Sequence, residues 1–149
     1  MSKRRAVPPV DDYGIGTLLA LAAKRWSSIV DVRLDAFGLS TTKYAVLCAI
    51  DASKEGSILS QRMIADMTGY DVMLVSSIIT KLQQDGLVDR MQHPTDVRAH
   101  AIALSQQGAS VLKKAHKQVA KVDRDFFADS AAPEKIRKEI GRASCRERV

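Results

Sequence analysis

The spacing of apolar residues changes in the middle of the chain, at Gly86, from a helical repeat to an extended one. After Gly86, apolar and polar residues alternate in two short stretches, 87–92 and 100–105, around the seven-residue segment HPTDVRA. This alternation predicts two strands joined in a hairpin. Before Gly86, apolar residues recur at intervals of three and four, which predicts one buried helical face. The residues of that face are Val75, Ile78, Ile79 and Leu82.

Helix-capping residues divide the rest of the chain into further helices. Ser40, Ser60, Asp71 and Ser105 each stand directly before an apolar-periodic run, where a short polar side chain can cap a helix N-terminus. The predicted order is helix, helix, short strand, helix, turn, helix, hairpin, long helix and a last helix that begins near Pro133. A helix-turn-helix followed directly by a hairpin is a winged helix. We therefore predict a mainly α fold with a small β-hairpin.

Five segments follow from this order. Residues 1–10 are expected to form a disordered arm, 11–36 an N-terminal helix, 37–105 the winged lobe and 106–140 the C-terminal helices. Residues 141–149, GRASCRERV, follow an amphipathic run with Gly, Ser, Cys and three Arg. We interpret this last segment as a tail that is not native to the fold.

Composition and motifs exclude several classes of protein, but they do not by themselves identify a binding partner. The formal net charge is +6, but the two terminal segments carry five of these charges, so charge alone is weak evidence for nucleic-acid binding. No apolar run approaches the roughly 20 residues of a membrane span, and the N-terminus lacks the pattern of a secretory signal. We expect a cytoplasmic protein. No nucleophile elbow, phosphate-binding loop or paired carboxylates indicate an enzyme.

The segments FGLSTTKYAVL, DVMLVSSIITKLQQDGLVDR and HPTDVRAHAIALSQQG resemble the MarR family of winged helix-turn-helix repressors over roughly residues 37–112. The most specific features are LxxxGLVxR, the D-x-R of the hairpin tip, and the apolar strand that leads into [ST]-x-x-G. The resemblance implies a homodimer on double-stranded DNA, with the helix from Asp71 to Leu82 in the major groove. It also implies that Arg98 reaches the minor groove, that Asp96 supports it, and that the first helix and last two helices form the dimer interface.

The predicted recognition helix presents short side chains on its outward face, namely Met73, Ser76, Ser77, Thr80 and Gln84. Serine and threonine serve either base type, whereas methionine can only touch a thymine methyl, so we expect the hairpin, Lys81 and phosphate contacts to supply much of the affinity. His93 is expected to lie on the surface or to contact a phosphate. For Arg98 the alternative is a solvent-facing pair with Asp96 that stiffens the loop. For Val72, Met73 and Leu74 it is packing inside the protein or against another subunit.

Other chemistry is weakly indicated. The family often holds a small aromatic inducer between the dimer helices and the DNA-binding lobe, where Trp26 and Tyr44 are either pocket or core residues. The three histidines lack the ligands that would complete a zinc site, so we expect neither metal nor cofactor. Cys48 is expected to be a structural thiol.

Overall fold

The computed structural model describes residues 12–53, 59–92, 100–129 and 132–144. The helices are α1 (Ile15–Leu34), α2 (Thr41–Asp51), α3 (Gln61–Thr68), α4 (Val72–Gln84), α5 (Gln106–Phe126) and α6 (Pro133–Ser144), and a 3-10 turn follows α1 at Asp35–Phe37. The strands are β1 (Val88–Gln92) and β2 (His100–Leu104). The predicted mainly α fold with one hairpin is confirmed. The helix α6 runs through Ser144, four residues beyond the point at which we expected the fold to end.

All four predicted caps form. The side chains of Ser40, Ser60, Asp71 and Ser105 accept hydrogen bonds from the backbone N–H three residues further on, which satisfies a donor that has no partner inside the helix. These caps fix the starts of α2, α3, α4 and α5 where the sequence predicted them.

A helix-turn-helix unit is formed by α3 and α4. Gly69 ends α3 with a left-handed backbone, φ 73°, and its N–H donates to the carbonyl of Ala65 at 2.8 Å. This conformation suits glycine because it has no Cβ. It places Asp71 only two residues further along, as the cap of α4.

The core lies where α1, α2, α3, α4 and α5 meet the base of the hairpin. The predicted face of α4 is buried over its whole length, and Leu34, Val46, Leu47 and Ile64 complete the centre of the cluster. The sequence alone did not show whether the methionines of α3 would be buried or exposed. Met63 and Met67 lie largely on the surface, while Ile64 and Ala65 face the core.

The hairpin packs on this core through its first pairs. The antiparallel register joins Val88 to Leu104 and continues to Gln92 opposite His100. Leu59 adds one bridge on the other side of β2, where the N–H of Ile102 donates to the Leu59 carbonyl at 3.0 Å. This bridge is the short extended piece predicted between the second and third helices.

Candidate nucleic-acid interface

The outward face of α4 is a continuous exposed surface. Ser77, Thr80, Lys81 and Gln84 are exposed and Ser76 is half-buried. Met73 exposes 82% of its surface near the N-terminus of the helix. Together these side chains line a shallow hollow of about 540 Å³. The structure therefore brings together five of the predicted site residues on one helix face, namely Met73, Ser76, Ser77, Thr80 and Lys81.

The position of α4 is fixed at both ends and along its inner face. At the N-terminus, the Asp71 carboxylate accepts from the Leu74 N–H at 2.8 Å. At the C-terminus, Gly86 takes a left-handed backbone, φ 71°, and the N–H of Leu87 donates to the Leu82 carbonyl at 2.9 Å. Because the inner face is core, the outer face cannot rotate inward without exposing that core. The helix is a rigid platform for whatever its outer face binds.

The base of the hairpin is clamped to the start of α5 by a small hydrogen-bonded cluster. The Ser105 hydroxyl donates to the Gly86 carbonyl at 2.7 Å and accepts from the Gly108 N–H at 2.9 Å. The Ser105 N–H donates to the Leu87 carbonyl at 3.1 Å. The hairpin is thus held beside the C-terminus of α4. Its tip, with His93, Asp96 and Arg98, lies outside the described residues.

The burial of Arg90 was not predicted from the sequence. This residue was noted only as the last position of the LxxxGLVxR motif. Its side chain shares the core-facing side of β1 with Val88 and is half-buried. The Nε and Nη2 atoms are buried and find no hydrogen-bond partner among the described residues. A buried charged donor without a partner is unfavourable. Its position two residues after Val88 in an alternating strand was the signal available in the sequence.

Trp26 and Tyr44 both face α5 and are half-buried. The Trp26 Nε1–H donates to the Asp123 carboxylate at 2.7 Å, which joins α1 to α5. The Tyr44 hydroxyl and His116 Nδ1 form a hydrogen bond at 2.7 Å, which joins α2 to the same helix. Burial raises the pKa of Tyr44 well above its ordinary value. The hydrogen bond with Cys48, the thiolate that Cys48 forms at alkaline pH and the Asp123 carboxylate act in the same direction. The phenol therefore stays neutral and able to donate at physiological pH.

The hollow in this part of the molecule is lined by other residues. It measures about 260 Å³ and lies between α1 and α5, against Ile29, Arg33, Val122, Asp125 and Phe126. Trp26 and Tyr44 pack against the core and do not line it. Cys48, next to Tyr44, is half-buried, and burial raises its pKa. It is accordingly a thiol at neutral pH, which makes it a poor nucleophile.

The part of the chain that the structure describes lacks two further features, a metal-binding cluster and a membrane-spanning helix. Within ranges 12–53, 59–92, 100–129 and 132–144, no group of three or more His, Cys, Asp or Glu side chains is arranged to hold a metal ion. Over the same ranges, no helix has the length and apolar character needed to cross a bilayer.

Comparison with known proteins gives a consistent result. A model of the MarR family matches residues 37–99, from the 3-10 turn to the hairpin. The chain is similar to YdcH of Bacillus subtilis, an uncharacterised HTH-type transcriptional regulator, with 27% identity over 114 residues that cover 76% of this chain and 78% of that protein.

Two solved structures share the fold. CouR of Rhodococcus jostii RHA1, bound to p-coumaroyl-CoA, has a TM-score of 0.78 and 24% identity, covering 96% of this chain and 99% of its own. The Mycobacterium tuberculosis regulator MosR, in complex with DNA, has a TM-score of 0.74 and 22% identity, covering 89% and 94%. These relatives and this fold are those of regulators rather than enzymes. In sequence and in fold, the chain is therefore similar to winged helix-turn-helix transcriptional regulators of the MarR family.

Proposed function

We propose that this protein is a homodimeric repressor that binds a pseudo-palindromic DNA operator and is released by a small aromatic ligand. The observation that carries the proposal is the outer face of α4. It is exposed from Met73 to Gln84 while its inner face is core, and the hairpin begins directly beside its C-terminus. A helix presented in this way fits the major groove, with the hairpin reaching the groove next to it. MosR, which shares the fold, was solved with DNA.

The apolar surface of the terminal helices supports a homodimer. In α1 only Val30 and Leu34 are buried, and in α6 no residue is buried. Apolar side chains are left on the surface along both helices, namely Ile15, Leu19, Leu21, Ile29, Val32, Ile136 and Ile140. A stripe of this kind is typical of an interaction surface. A second copy would cover it, and the two-fold axis would place two recognition helices on one face of the duplex.

We assign the contacts of each half-site as follows. In the major groove, α4 presents Met73, Ser76, Ser77 and Thr80 to the base edges, and Lys81 to a phosphate. In the minor groove, Arg98 enters from the hairpin tip, where the negative potential of a narrow groove favours a guanidinium. Asp96 orients Arg98, and His93 contacts a phosphate.

For the ligand, we propose a site between the dimer helices and the DNA-binding lobe, bounded by α1, α2 and α5. Two observations favour this region. The hydrogen bonds of Trp26 and Tyr44 join α1 and α2 to α5 there, so an aromatic ligand that displaced either bond would change how the lobe sits on α5. The fold-related CouR was solved with p-coumaroyl-CoA. The proposal places the protein in the cytoplasm, with its DNA.

A second candidate function is a winged helix that binds another protein. The exposure of Val72 and Leu74 on either side of Met73 favours it, since three apolar residues in sequence at the start of α4 could dock on a partner. This candidate predicts that the chain binds DNA without sequence preference.

One experiment distinguishes these functions. The full chain is used to select fragments from a pool of random duplex DNA, and the bound fragments are sequenced. We expect enrichment of a pseudo-palindrome whose half-sites lie about one helical turn apart. A pool without an enriched sequence would overturn the DNA-binding proposal in favour of the protein-binding one. For repression, transcription in vitro from a promoter that overlaps the enriched site should fall when the protein is added and recover with the ligand.

The role of Arg98 is tested on the selected duplex. Arg98→Ala is expected to weaken binding at least about tenfold, or about 1.4 kcal/mol, because the minor-groove contact is lost. Arg124→Ala, which removes the same charge from the exposed face of α5, is the matched control and should bind nearly as the wild type does. Equal affinities of Arg98→Ala and wild type would refute the assignment of the hairpin tip.

Salt dependence tests the phosphate contacts. Affinity should fall steeply between about 50 and about 200 mM salt, because binding releases counterions from the DNA. A flat dependence would contradict a complex held by Lys81 and other phosphate contacts.

A further inference from the structure

The N-terminal end of α4 offers apolar rather than hydrogen-bonding groups. Met73 is the most exposed large apolar side chain of the helix, at 82%, and Val72 and Leu74 on either side of it are 39% and 40% exposed. At 100° per residue, Met73 lies on the mid-line of the outward face and its two neighbours lie to the left and right of it. The first turn of the helix therefore exposes a methionine that has an apolar residue on either side.

The polar side chains of the same face are poorly placed to contact the bases instead of Met73. The Thr80 hydroxyl donates to the Ser76 carbonyl at 2.9 Å, so its one hydrogen is already used inside the helix. The long side chains with donors, Lys81 and Gln84, lie in the last turns. Gln84 is about 16 Å further along the helix axis than Met73. Because recognition helices touch base edges mainly with their N-terminal residues, Met73 is nearer to the bases than either.

The short side chains behind Met73 allow a close approach. Ser76, Ser77 and Thr80 line the hollow of about 540 Å³ together with Met73, Lys81 and Gln84. Along this stretch of short side chains, the backbone of α4 can lie close to the floor of the major groove. Depth in the groove brings the thioether and methyl of Met73 against the base edges.

Resting on the DNA-binding function proposed above, we propose that Met73, flanked by Val72 and Leu74, recognises the C5-methyl group of thymine in the major groove. Thymine is the base that presents a methyl group there, and apolar side chains recognise it by contact rather than by hydrogen bonding. The contact should contribute about the binding free energy of one buried methyl group. The operator half-site should accordingly contain a thymine opposite the first turn of α4.

The test replaces each thymine of the selected half-site, one at a time and in both half-sites, by deoxyuridine. This base keeps every hydrogen-bonding group of thymine and lacks only the C5-methyl. For the full-length wild type we expect one position at which the replacement weakens binding about fourfold per methyl removed, as the burial of one methyl-sized group predicts. Affinities are measured by fluorescence anisotropy at one fixed salt concentration.

Three variants assign the effect to Met73. Met73→Ala should bind the thymine and deoxyuridine duplexes with equal affinity, because its side chain no longer reaches the methyl. Met73→Leu should retain the preference for thymine. Met63→Ala removes another exposed methionine, one on α3, and should also retain it. Because Met73 is on the surface, the Met73 variants are expected to fold, which circular dichroism verifies.

Each alternative outcome overturns the inference. A selected half-site without thymine, equal binding of wild type to all deoxyuridine duplexes, or an unchanged preference in Met73→Ala would show that Met73 does not read a methyl group. In those three cases the protein still selects a palindrome, and its proposed function as a DNA-binding regulator stands. Failure to select any sequence would overturn both proposals.

Discussion

The substitution Gly108→Ala tests how the hairpin is joined to α5. Gly108 is buried in the first turn of that helix. A Cβ atom on Gly108 would overlap the carbonyl oxygen of Leu87 and lie 2.8 Å from its carbonyl carbon. These atoms belong to the backbone at the start of the hairpin, so no change of side-chain rotamer can relieve the overlap.

The expected loss of stability follows from the hydrogen bonds that must break. To make room, the start of α5 has to move away from residues 86–87. This movement breaks two hydrogen bonds, which join Ser105 Oγ to the Gly86 carbonyl and Ser105 N–H to the Leu87 carbonyl. At about 1 kcal/mol for each bond, the free energy of unfolding should fall by about 2 kcal/mol. A loss of this size raises the unfolded fraction about 30-fold and is a large share of a typical domain's stability.

The measurement is urea unfolding followed by circular dichroism, at one protein concentration because the proposed homodimer would make stability depend on concentration. Gly16→Ala is the matched control. Gly16 is also in the first turn of a helix, α1, but a Cβ there meets nothing within 4 Å. It should leave stability unchanged or raise it by up to about 1 kcal/mol. If Gly108→Ala unfolds within about 1 kcal/mol of the wild type, the close approach of α5 to Leu87 is refuted.

Two further predictions concern Tyr44 and α6. Burial raises the pKa of Tyr44 in the folded protein above its ordinary value, so unfolding releases a proton at alkaline pH and stability should fall as pH rises above about 10. Urea unfolding from about pH 8 to about pH 11 should show a smaller fall for Tyr44→Phe, and parallel curves would contradict the reasoning. Ile140→Glu should shift sedimentation from dimer to monomer, because Ile140 lies on the exposed apolar stripe of α6. Lys138→Glu, on the opposite face of that helix, should remain a dimer, and equal behaviour of the two variants would remove α6 from the interface.

Several parts of the fold could be predicted because local physics determines them. Caps act within one turn, so Ser40, Ser60, Asp71 and Ser105 could be located from their neighbours alone. Gly86 and the change of apolar spacing after it predicted the end of α4 and the start of the hairpin. The face of α4 followed from the helical repeat, and so the exposed candidate residues followed as its complement.

Other features depend on which elements meet. The repeat alone did not show that Met63 and Met67 would lie on the surface, since α3 is short and one side of it meets the core. The sequence also did not indicate how little of α1, namely Val30 and Leu34, would be buried within the chain. From the sequence, Trp26 and Tyr44 could be interpreted as pocket or core residues. Their hydrogen-bond partners on α5 show that they connect α1 and α2 to that helix.

The sequence by itself thus determined the order of the helices, the hairpin between α4 and α5, and the outward face of α4, because periodicity and capping act over a few residues. The tertiary structure decided the rest. It brought Leu87 against Gly108, and thereby explains the glycine of the [ST]-x-x-G motif as space for a neighbouring backbone. It also left two buried nitrogen atoms of Arg90 without a partner among the described residues. Both depend on contacts between segments that are distant in sequence, and no local pattern of residues encodes them.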